Sequence, residues 1–442
     1  MNASPEPADS VIEARWVIPV TPAGVALEDH AVVIRGGRIV DVTPVAQARE
    51  RYPDAGRRVL SQHALIPGLI NLHTHAAMTL MRGLADDLRL MDWLNQHVWP
   101  TELRHVSDEF VYDGTRLACA EMLLGGITYF SDMYFFPEAA ARATLDSRMR
   151  STIGMIVLEF PSKYASDAQD YLQKGLQLRD SMRSRSSLVR FCFAPHAPYT
   201  VSDRSLAQVA TYASELDLPV HMHVHETLDE INESLKAHNK RPLARLRELG
   251  LLGPGLIAVH AVHVDADEIA LLASHGCHVA HCPSSNLKLA SGIAPTAALL
   301  SAGVNIGLGT DGAASNNRLD VFAEMRLAAL LAKGQSTDPT VLPASQALEL
   351  ATLGSARALG MEQETGSITA GKIADLTAVR MDDLCLSPCY DVISHLVYAC
   401  GREHVSDVWV NGDALVHNGE LTHIDGQELT AVAARWKQRI RP

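Results

Sequence analysis

Histidines and acids lie at the ends of short apolar runs in the middle of this chain. The segment Pro67–Met78 reads PGLINLHTHAAM and places His73 and His75 on either side of one threonine. In a strand, side chains two residues apart point to the same side, so both imidazoles project from one face. Two such imidazoles can bind one metal ion, and we predict that they do; hydrogen-bonded core histidines are the alternative interpretation.

A second group of histidines occurs in the run LPVHMHVHE. His221, His223 and His225 share one strand face, and their spacing alone does not choose the ligand among them. Glu226 follows at once, three residues after His223, so it can lie over the same site only if the strand has ended and the chain turns back. An ordinary exposed loop acid is the other interpretation of Glu226.

A third candidate ligand ends the glycine-containing run VNIGLGTDGAAS. Asp311 closes this run, and Gly309 and Gly312 on either side permit close approach of the backbone. An N-cap is a common role for such an aspartate. Opposite a histidine-rich centre, we predict instead a carboxylate that both binds the metal and accepts a proton.

Eight strand-like runs alternate with helix-length segments such as Asp108–Leu124 and Ser205–Leu216. This alternation predicts a (β/α)₈ TIM-type barrel, and roughly 300 residues for the middle of the chain fits that fold. Functional residues of such barrels lie at the carboxyl ends of the strands. The polar residues at those ends are His73, His75, Asp132, His196, His221, His223, His225, His260, His281 and Asp311.

The two ends of the chain carry hairpin patterns. β-rich arms flank Gly36-Gly37 in Ala31–Val42, and Asn411-Gly412 has the same setting in Asp407–Glu420. Both dipeptides suit two-residue turns with positive φ. We expect the two ends to pair in one small sheet module.

Composition excludes several classes of function. The 442 residues are 47% apolar and carry a net charge of −13, which predicts no nucleic-acid partner and no attraction to anionic membranes. Seven cysteines without a C-x-x-C pair predict a reducing, cytoplasmic compartment, and neither a signal peptide nor a membrane span is expected. Zincin, cytidine-deaminase, P-loop and dinucleotide-binding motifs are absent from the sequence.

The segments PGLINLHTH, APHAPYTVS, HMHVHET, NLKLASGIAP, GTDGAASNN and GSITAGKIADL together resemble the amidohydrolase superfamily. The resemblance is greatest to the 5-methylthioadenosine/S-adenosylhomocysteine deaminase family, in the branch that also holds chlorohydrolases and guanine deaminases. It implies a barrel over residues 66–365 and a β-sandwich domain built from residues 1–65 and 366–442.

The same resemblance implies one zinc ion held by His73, His75, His223 and Asp311. It selects His223 over its two neighbours, which then have packing or supporting roles. Fe²⁺ and Mn²⁺ remain alternatives, since imidazole and carboxylate ligands suit several divalent metals. No lysine ends a strand of the middle region, which disfavours a carbamate-bridged pair of metals.

Roles around the substrate also come from the resemblance. Glu226 matches the proton-shuttling acid and His260 the histidine that assists the attacking water, while His263 is assigned a structural role. The substrate-binding positions implied are Glu102 for ribose hydroxyls, His196, Trp93 as an aromatic wall, and Arg150 for a carboxylate tail. The segment Met78–Pro100 either covers the substrate or packs on the barrel rim or a second subunit.

The expected reaction is zinc-dependent deamination at C6 of an adenine nucleoside, 5′-methylthioadenosine and/or S-adenosylhomocysteine. Guanine, 8-oxoguanine or a triazine ring is the alternative substrate, and a non-catalytic scaffold is a remote one. The resemblance also favours an assembly of identical subunits.

Overall fold

Two eight-stranded sheets organise residues 8–441, the part of the chain that the computed structural model describes. The first sheet has the order β16-β15-β14-β13-β4-β1-β2-β3, and the second runs from β5 to β12 in chain order. The strands are β1 (Ser10–Val17), β2 (Leu27–Arg35), β3 (Arg38–Pro44), β4 (Gly56–Pro67), β5 (Leu69–Thr74), β6 (Ile127–Tyr134), β7 (Arg150–Val157), β8 (Val189–Pro195), β9 (Val220–Val224), β10 (Leu256–His260), β11 (His278–His281), β12 (Asn305–Leu308), β13 (Leu376–Arg380), β14 (Val405–Val410), β15 (Asp413–His417) and β16 (Glu420–Leu421).

Helices fill most connections between the strands, and 3-10 or π turns occupy Ala76–Met81, Leu94–Val98, Leu350–Gly354, Leu384–Leu386 and Arg402–His404. Within residues 8–441, none of the helices combines the length and apolar character that a bilayer crossing requires. The helices are α1 (Val45–Arg51), α2 (Leu90–Trp93), α3 (Trp99–His105), α4 (Asp108–Leu124), α5 (Pro137–Asp146), α6 (Ala168–Met182), α7 (Asp203–Leu216), α8 (Leu228–His238), α9 (Pro242–Glu248), α10 (Ala266–Ser274), α11 (Pro283–Lys288), α12 (Thr296–Ser301), α13 (Val321–Ser336), α14 (Ala344–Glu349), α15 (Ser355–Ala358), α16 (Val392–Tyr398) and α17 (Gly426–Ile440).

The second sheet is the predicted (β/α)₈ barrel. Its neighbouring strands are all parallel, and each of the eight apolar runs contains one of them. The segment Asp108–Leu124 is helix α4, which begins where the Ser107 hydroxyl accepts the N–H of Phe110 at 3.2 Å. This element order confirms the barrel prediction.

Hydrogen bonds of Asn71 close the barrel between β5 and the residues after β12. The Asn71 side chain accepts the N–H of Thr310 at 2.9 Å and donates to the Thr310 hydroxyl at 2.8 Å. The Asp311 N–H then donates to the carbonyl of His73 at 3.0 Å. Gly309 allows this approach, because a Cβ there would lie 2.8 Å from the Cβ of His73. We call these bonds between β5 and residues 309–311 the seam of the barrel. The seam places Asp311 beside His73 and His75.

The first sheet joins the two ends of the chain, as expected. Gly36 and Gly37 have φ of 56° and 74°, and Asn411 and Gly412 have φ of 53° and 81°, so both hairpin turns are confirmed. The two turns touch, since a Cβ on Gly37 would lie 2.6 Å from the Asn411 carbonyl oxygen. Strands from both chain ends enclose one apolar cluster, formed by Ile12, Ala14, Val17, Val32, Ile34, Ile39, Leu60, Leu65, Ile368, Ala374, Leu376, Ala378 and Trp409.

Asn71→Ala tests the seam. The change removes both hydrogen bonds to Thr310 and leaves a buried N–H unpaired, which costs about 1–3 kcal/mol of stability. We expect a lower thermal unfolding midpoint, measured by circular dichroism. Asn232→Ala, at an exposed position of α8, is the control and should unfold within about 1 °C of the wild type. An unchanged midpoint for Asn71→Ala would show that the seam adds no stability.

Candidate active site

Four side chains from three parts of the barrel converge at the carboxyl ends of the strands. His73 and His75 come from the end of β5, His223 from β9, and Asp311 from the turn after β12. The Nε2 atoms of His73 and His223 are 3.3 Å apart. One oxygen of Asp311 lies 3.3 Å from Nε2 of His73 and 3.3 Å from Nε2 of His75. His73, His75 and His223 form one group that could hold a metal ion, and His73, Asp311 and His260 form a second group around the same His73.

The hydrogen bonds on the far side of these rings support that assignment. Nδ1 of His223 lies 2.7 Å from the carbonyl oxygen of His196, and Nδ1 of His75 contacts the carbonyl oxygen of Met133. A carbonyl accepts only, so both Nδ1 atoms carry the proton and both Nε2 atoms carry a lone pair. Lone pairs and a carboxylate oxygen face one another across the centre, and a divalent cation fits between them.

Two hydroxyl groups orient Asp311. Ser285 and Ser315 donate to its Oδ2 at 2.6 and 2.7 Å, while Oδ1 faces the histidines and accepts the N–H of Gly312 at 2.7 Å. Asp311 itself has φ of 59°, a left-handed conformation that turns the chain sharply after the strand. The carboxylate is therefore held with one oxygen toward the centre and the other away from it.

The neighbours of His223 have different surroundings. His221 lies deeper, with Nε2 3.0 Å from Nδ1 of His73 and Nδ1 3.3 Å from the Ser131 hydroxyl. His225 has left the strand with φ of 58°, and its Nε2 accepts the N–H of Leu243 at 3.2 Å. His221 thus supports His73, and His225 packs against the start of α9.

Glu226 and His260 flank the centre on one side. Nε2 of His260 lies 3.8 Å from a carboxylate oxygen of Glu226, and Nδ1 lies 2.8 Å from the Asn286 side-chain oxygen. The Ser291 hydroxyl donates to Glu226 at 3.4 Å. Burial raises the pKa of the Glu226 carboxyl, and the nearby His260 partly offsets this effect. His263, on the adjoining turn, bonds with Nε2 to the Ser291 carbonyl at 2.6 Å.

A cavity of about 490 Å³ opens above the centre. Glu102, Trp93 and His196 all line it, together with Glu226, His260 and Asp311. The segment Met78–Pro100 supplies part of its wall, through Met78, Leu90, Trp93, Leu94, Asn95, Val98, Trp99 and Pro100.

Two of the cavity side chains have strongly shifted pKa values. The Tyr134 hydroxyl donates to Glu102 at 2.7 Å, and burial, partly opposed by this bond, raises the pKa of Glu102 to about 7. Burial lowers the pKa of His196 to about 3, so its ring is neutral, with Nδ1 3.0 Å from the Thr200 hydroxyl.

The structure does not bring Arg150 to this cavity, and its expected role toward a substrate carboxylate is corrected. Arg150 is the first residue of β7, at the amino end of the strand, whereas the site lies at the carboxyl ends. It is buried, with Nε 3.3 Å from Asp375 and the guanidinium near Glu364 and the Tyr129 ring. It links the barrel to the terminal sheet. In the sequence, Arg150 is the first residue of the run RSTIGMIVLEF, and this position already predicts that it lies at the amino end of the strand, away from the site.

Several residues that shape the site were not found from the sequence. His281 ends β11 as expected and lies near Thr296, whereas Asp132 lies two residues before the end of β6 and accepts the N–H of Ala76 at 2.7 Å. Among the missed positions only Glu230 has a local signal, the Thr-x-x-Glu pattern of a helix start. The other missed positions are Tyr134, Lys163, Ser285, Asn286 and Ser315.

Comparison with known proteins agrees with this geometry. The model of the amidohydrolase family matches residues 64–415. The chain belongs to the amidohydrolase family.

Individual relatives cover nearly the whole chain. The 5-methylthioadenosine/S-adenosylhomocysteine deaminase of Saccharophagus degradans is 46% identical over 98% of this chain and 97% of the relative. A zinc-bound crystal structure of an adenosine deaminase from Xanthomonas campestris has a TM-score of 0.97 and 48% identity, and covers 99% of each chain. A zinc complex of atrazine chlorohydrolase from Arthrobacter aurescens has a TM-score of 0.89 and 25% identity, and covers 97% of this chain and 99% of that one.

His223→Ala tests the metal centre. Loss of one of four ligands should reduce zinc affinity enough for the purified variant to lose most of its metal, measured by plasma emission spectrometry after dialysis. His238→Ala, at an exposed position in α8, is the control and should keep about one zinc per chain, as in the wild type. Full zinc content in His223→Ala would refute its assignment as a ligand.

Proposed function

We propose that this protein is a zinc-dependent hydrolase that deaminates C6 of adenine nucleosides, with 5′-methylthioadenosine and/or S-adenosylhomocysteine as substrates. The observation that carries the proposal is the four-ligand centre with Glu226 and His260 beside it, at the base of a cavity that also contains Glu102. The names of the relatives at 46% and 47% identity support the substrate class.

His73, His75, His223 and Asp311 would hold the zinc ion. Zinc at this set supplies Lewis-acid activation of a water molecule, lowering the pKa of that water toward neutrality. Three nitrogens and one oxygen also suit Fe²⁺ or Mn²⁺, and zinc is proposed because the structural relatives contain it.

The remaining steps belong to side chains of this chain. Asp311 accepts a proton from the attacking water, and His260 orients that water through its Nε2. Glu226, whose pKa is raised by burial, donates a proton to the ring nitrogen beside C6, which makes the carbon electrophilic. Water adds to C6, and the amino group leaves as ammonia with protons relayed by Asp311 or Glu226.

Substrate contacts follow from the cavity wall. Glu102 is proposed to accept the ribose hydroxyls, Trp93 to pack against the substrate, and His196 to contact it. Because eight residues of the segment Met78–Pro100 line the cavity, we propose that this segment covers the substrate.

The 5′ substituent faces a largely apolar wall. Leu94, Val98 and Glu102 all line the cavity, so two aliphatic side chains share this wall with the proposed ribose-binding carboxylate. Lys163 is the only lysine or arginine among the described residues that line the cavity; it is exposed, and its Nζ donates to the Arg104 carbonyl at 2.7 Å. A methylthio group suits this wall better than a charged amino-acid tail.

A cytoplasmic location and an assembly of identical subunits are also proposed. All seven cysteines are free thiols, as a reducing compartment requires. Light scattering that gives the mass of a single chain would refute the assembly.

Ammonia release from a substrate panel tests the function. Zinc-loaded protein is assayed with 5′-methylthioadenosine, S-adenosylhomocysteine, adenosine, guanine and a chlorotriazine, with chloride release measured for the last. We expect turnover of the adenine nucleosides, with kcat/KM about tenfold higher for 5′-methylthioadenosine than for S-adenosylhomocysteine. Activity confined to guanine or the triazine would keep the metal centre and refute the adenosine assignment.

The pH dependence of substrate binding tests Glu102. Its carboxylate accepts two hydroxyl donors only when ionised, and its pKa is raised to about 7, so kcat/KM should fall as pH drops through 7. Glu102→Gln should lower kcat/KM for 5′-methylthioadenosine about 100-fold and remove the component of the pH profile near 7. The 2′,3′-dideoxy analogue is the control, since the variant and the wild type should use it equally. Equal losses with both substrates would contradict hydroxyl binding by Glu102.

A further inference from the structure

The turn that carries Glu226 is held by a second buried acid. Glu230 accepts the N–H of His225 with one carboxylate oxygen and the N–H of Glu226 with the other, each at 2.9 Å. Its side chain is buried, with 6% of the residue exposed. Both oxygens of Glu230 thus bond to the peptide groups on either side of the His225 α-carbon.

These bonds differ from those of an ordinary helix start. In a capping box, the glutamate at the third helical position accepts the N–H of the N-cap residue. Glu268 does this in α10, where it accepts the N–H of Asp265 at 3.1 Å. Glu230 occupies the same position in α8, after the N-cap Thr227, but bonds to the two residues before that cap. Its carboxylate therefore fixes the turn rather than closing the helix.

The same turn is held from the opposite side by the chain after His260. The carbonyl of His225 accepts the N–H groups of Val262 and His263, both at 3.0 Å. His225 has φ of 58°, a conformation that costs a non-glycine residue about 1 kcal/mol and needs surrounding bonds to persist. With Glu230 removed, the bonds of the His225 carbonyl to Val262 and His263 and of its ring to Leu243 remain, but the N–H groups of His225 and Glu226 lose their acceptor.

We propose that Glu230 is a positioning residue for the reaction: it sets the carboxyl of Glu226 against the substrate ring by holding the two N–H groups that precede α8. The inference rests on the proposed proton-transfer role of Glu226. Glu230 does not line the cavity and acts on the chemistry only through Glu226.

Glu230→Gln tests the proposal. The amide keeps one acceptor oxygen but places an NH₂ group against the other backbone N–H, so the turn must shift. A displacement of about 1 Å at a proton donor lowers kcat about 10- to 100-fold. We expect that loss with KM within about threefold of the wild type, because the ribose and thioether contacts are unchanged. Glu233→Gln, an exposed position of the same helix, is the control and should keep wild-type kcat.

A double-mutant cycle separates positioning from general loss of structure. If Glu230 acts through Glu226, then adding Glu230→Gln to Glu226→Gln should change kcat by less than about twofold. An equal loss in both backgrounds, or unchanged kcat in the single variant, would overturn the proposal. Glu230→Asp is measured in the same cycle in case Glu230→Gln does not fold, with rates expressed per bound zinc. Wild-type protein inactive on all adenine nucleosides would instead refute the proposed function.

Discussion

Three imidazole nitrogens and a carboxylate oxygen, gathered at distances near 3.3 Å, impose the constraint on which the site depends. Lone pairs brought this close repel one another, so the group favours a cation at its centre and needs the scaffold to hold each member. The far atom of each of the four side chains is accordingly bonded: His75 and His223 to carbonyls, His73 to His221, and Asp311 to two serines. The carbonyls fix the tautomers of His75 and His223, and the bonds together fix the positions of all four side chains.

Backbone strain occurs at two residues of the candidate site. His260 and Asp311 have φ of 72° and 59°, values unusual for side chains larger than glycine. Each lies at or just after the end of a strand, where the chain must turn at once to keep the side chain over the centre. Hydrogen bonds across the barrel compensate this cost, such as Asp311 to the His73 carbonyl and Ala261 to the Val224 carbonyl, at 3.0 and 3.1 Å.

Periodicity and barrel geometry account for what the sequence predicted. Eight apolar runs gave eight strands, and the two-residue repeat put His73 and His75 on one face. The same repeat could not choose among His221, His223 and His225, because the choice depends on depth in the barrel and on where the strand ends. The resemblance placed Arg150 beside the substrate, but its position at the start of a strand predicts the amino end of the barrel, opposite the cavity. Ser285 and Ser315 meet Asp311 through tertiary packing that no local pattern records.

The residues of the candidate site come from two kinds of segment, the ends of barrel strands and the segments that connect the strands. The proposed metal ligands and His260 lie at or just beyond the carboxyl ends of strands β5, β9, β10 and β12, which the barrel ladder holds. Much of the cavity wall comes instead from residues 90–106 and 160–164, outside the barrel strands, and Met133, Tyr134 and Ile156 of β6 and β7 complete it. A protein named atrazine chlorohydrolase keeps this fold with a TM-score of 0.89 at 25% identity. Changes in the connecting segments can therefore alter the cavity while the residues at the strand ends stay in place.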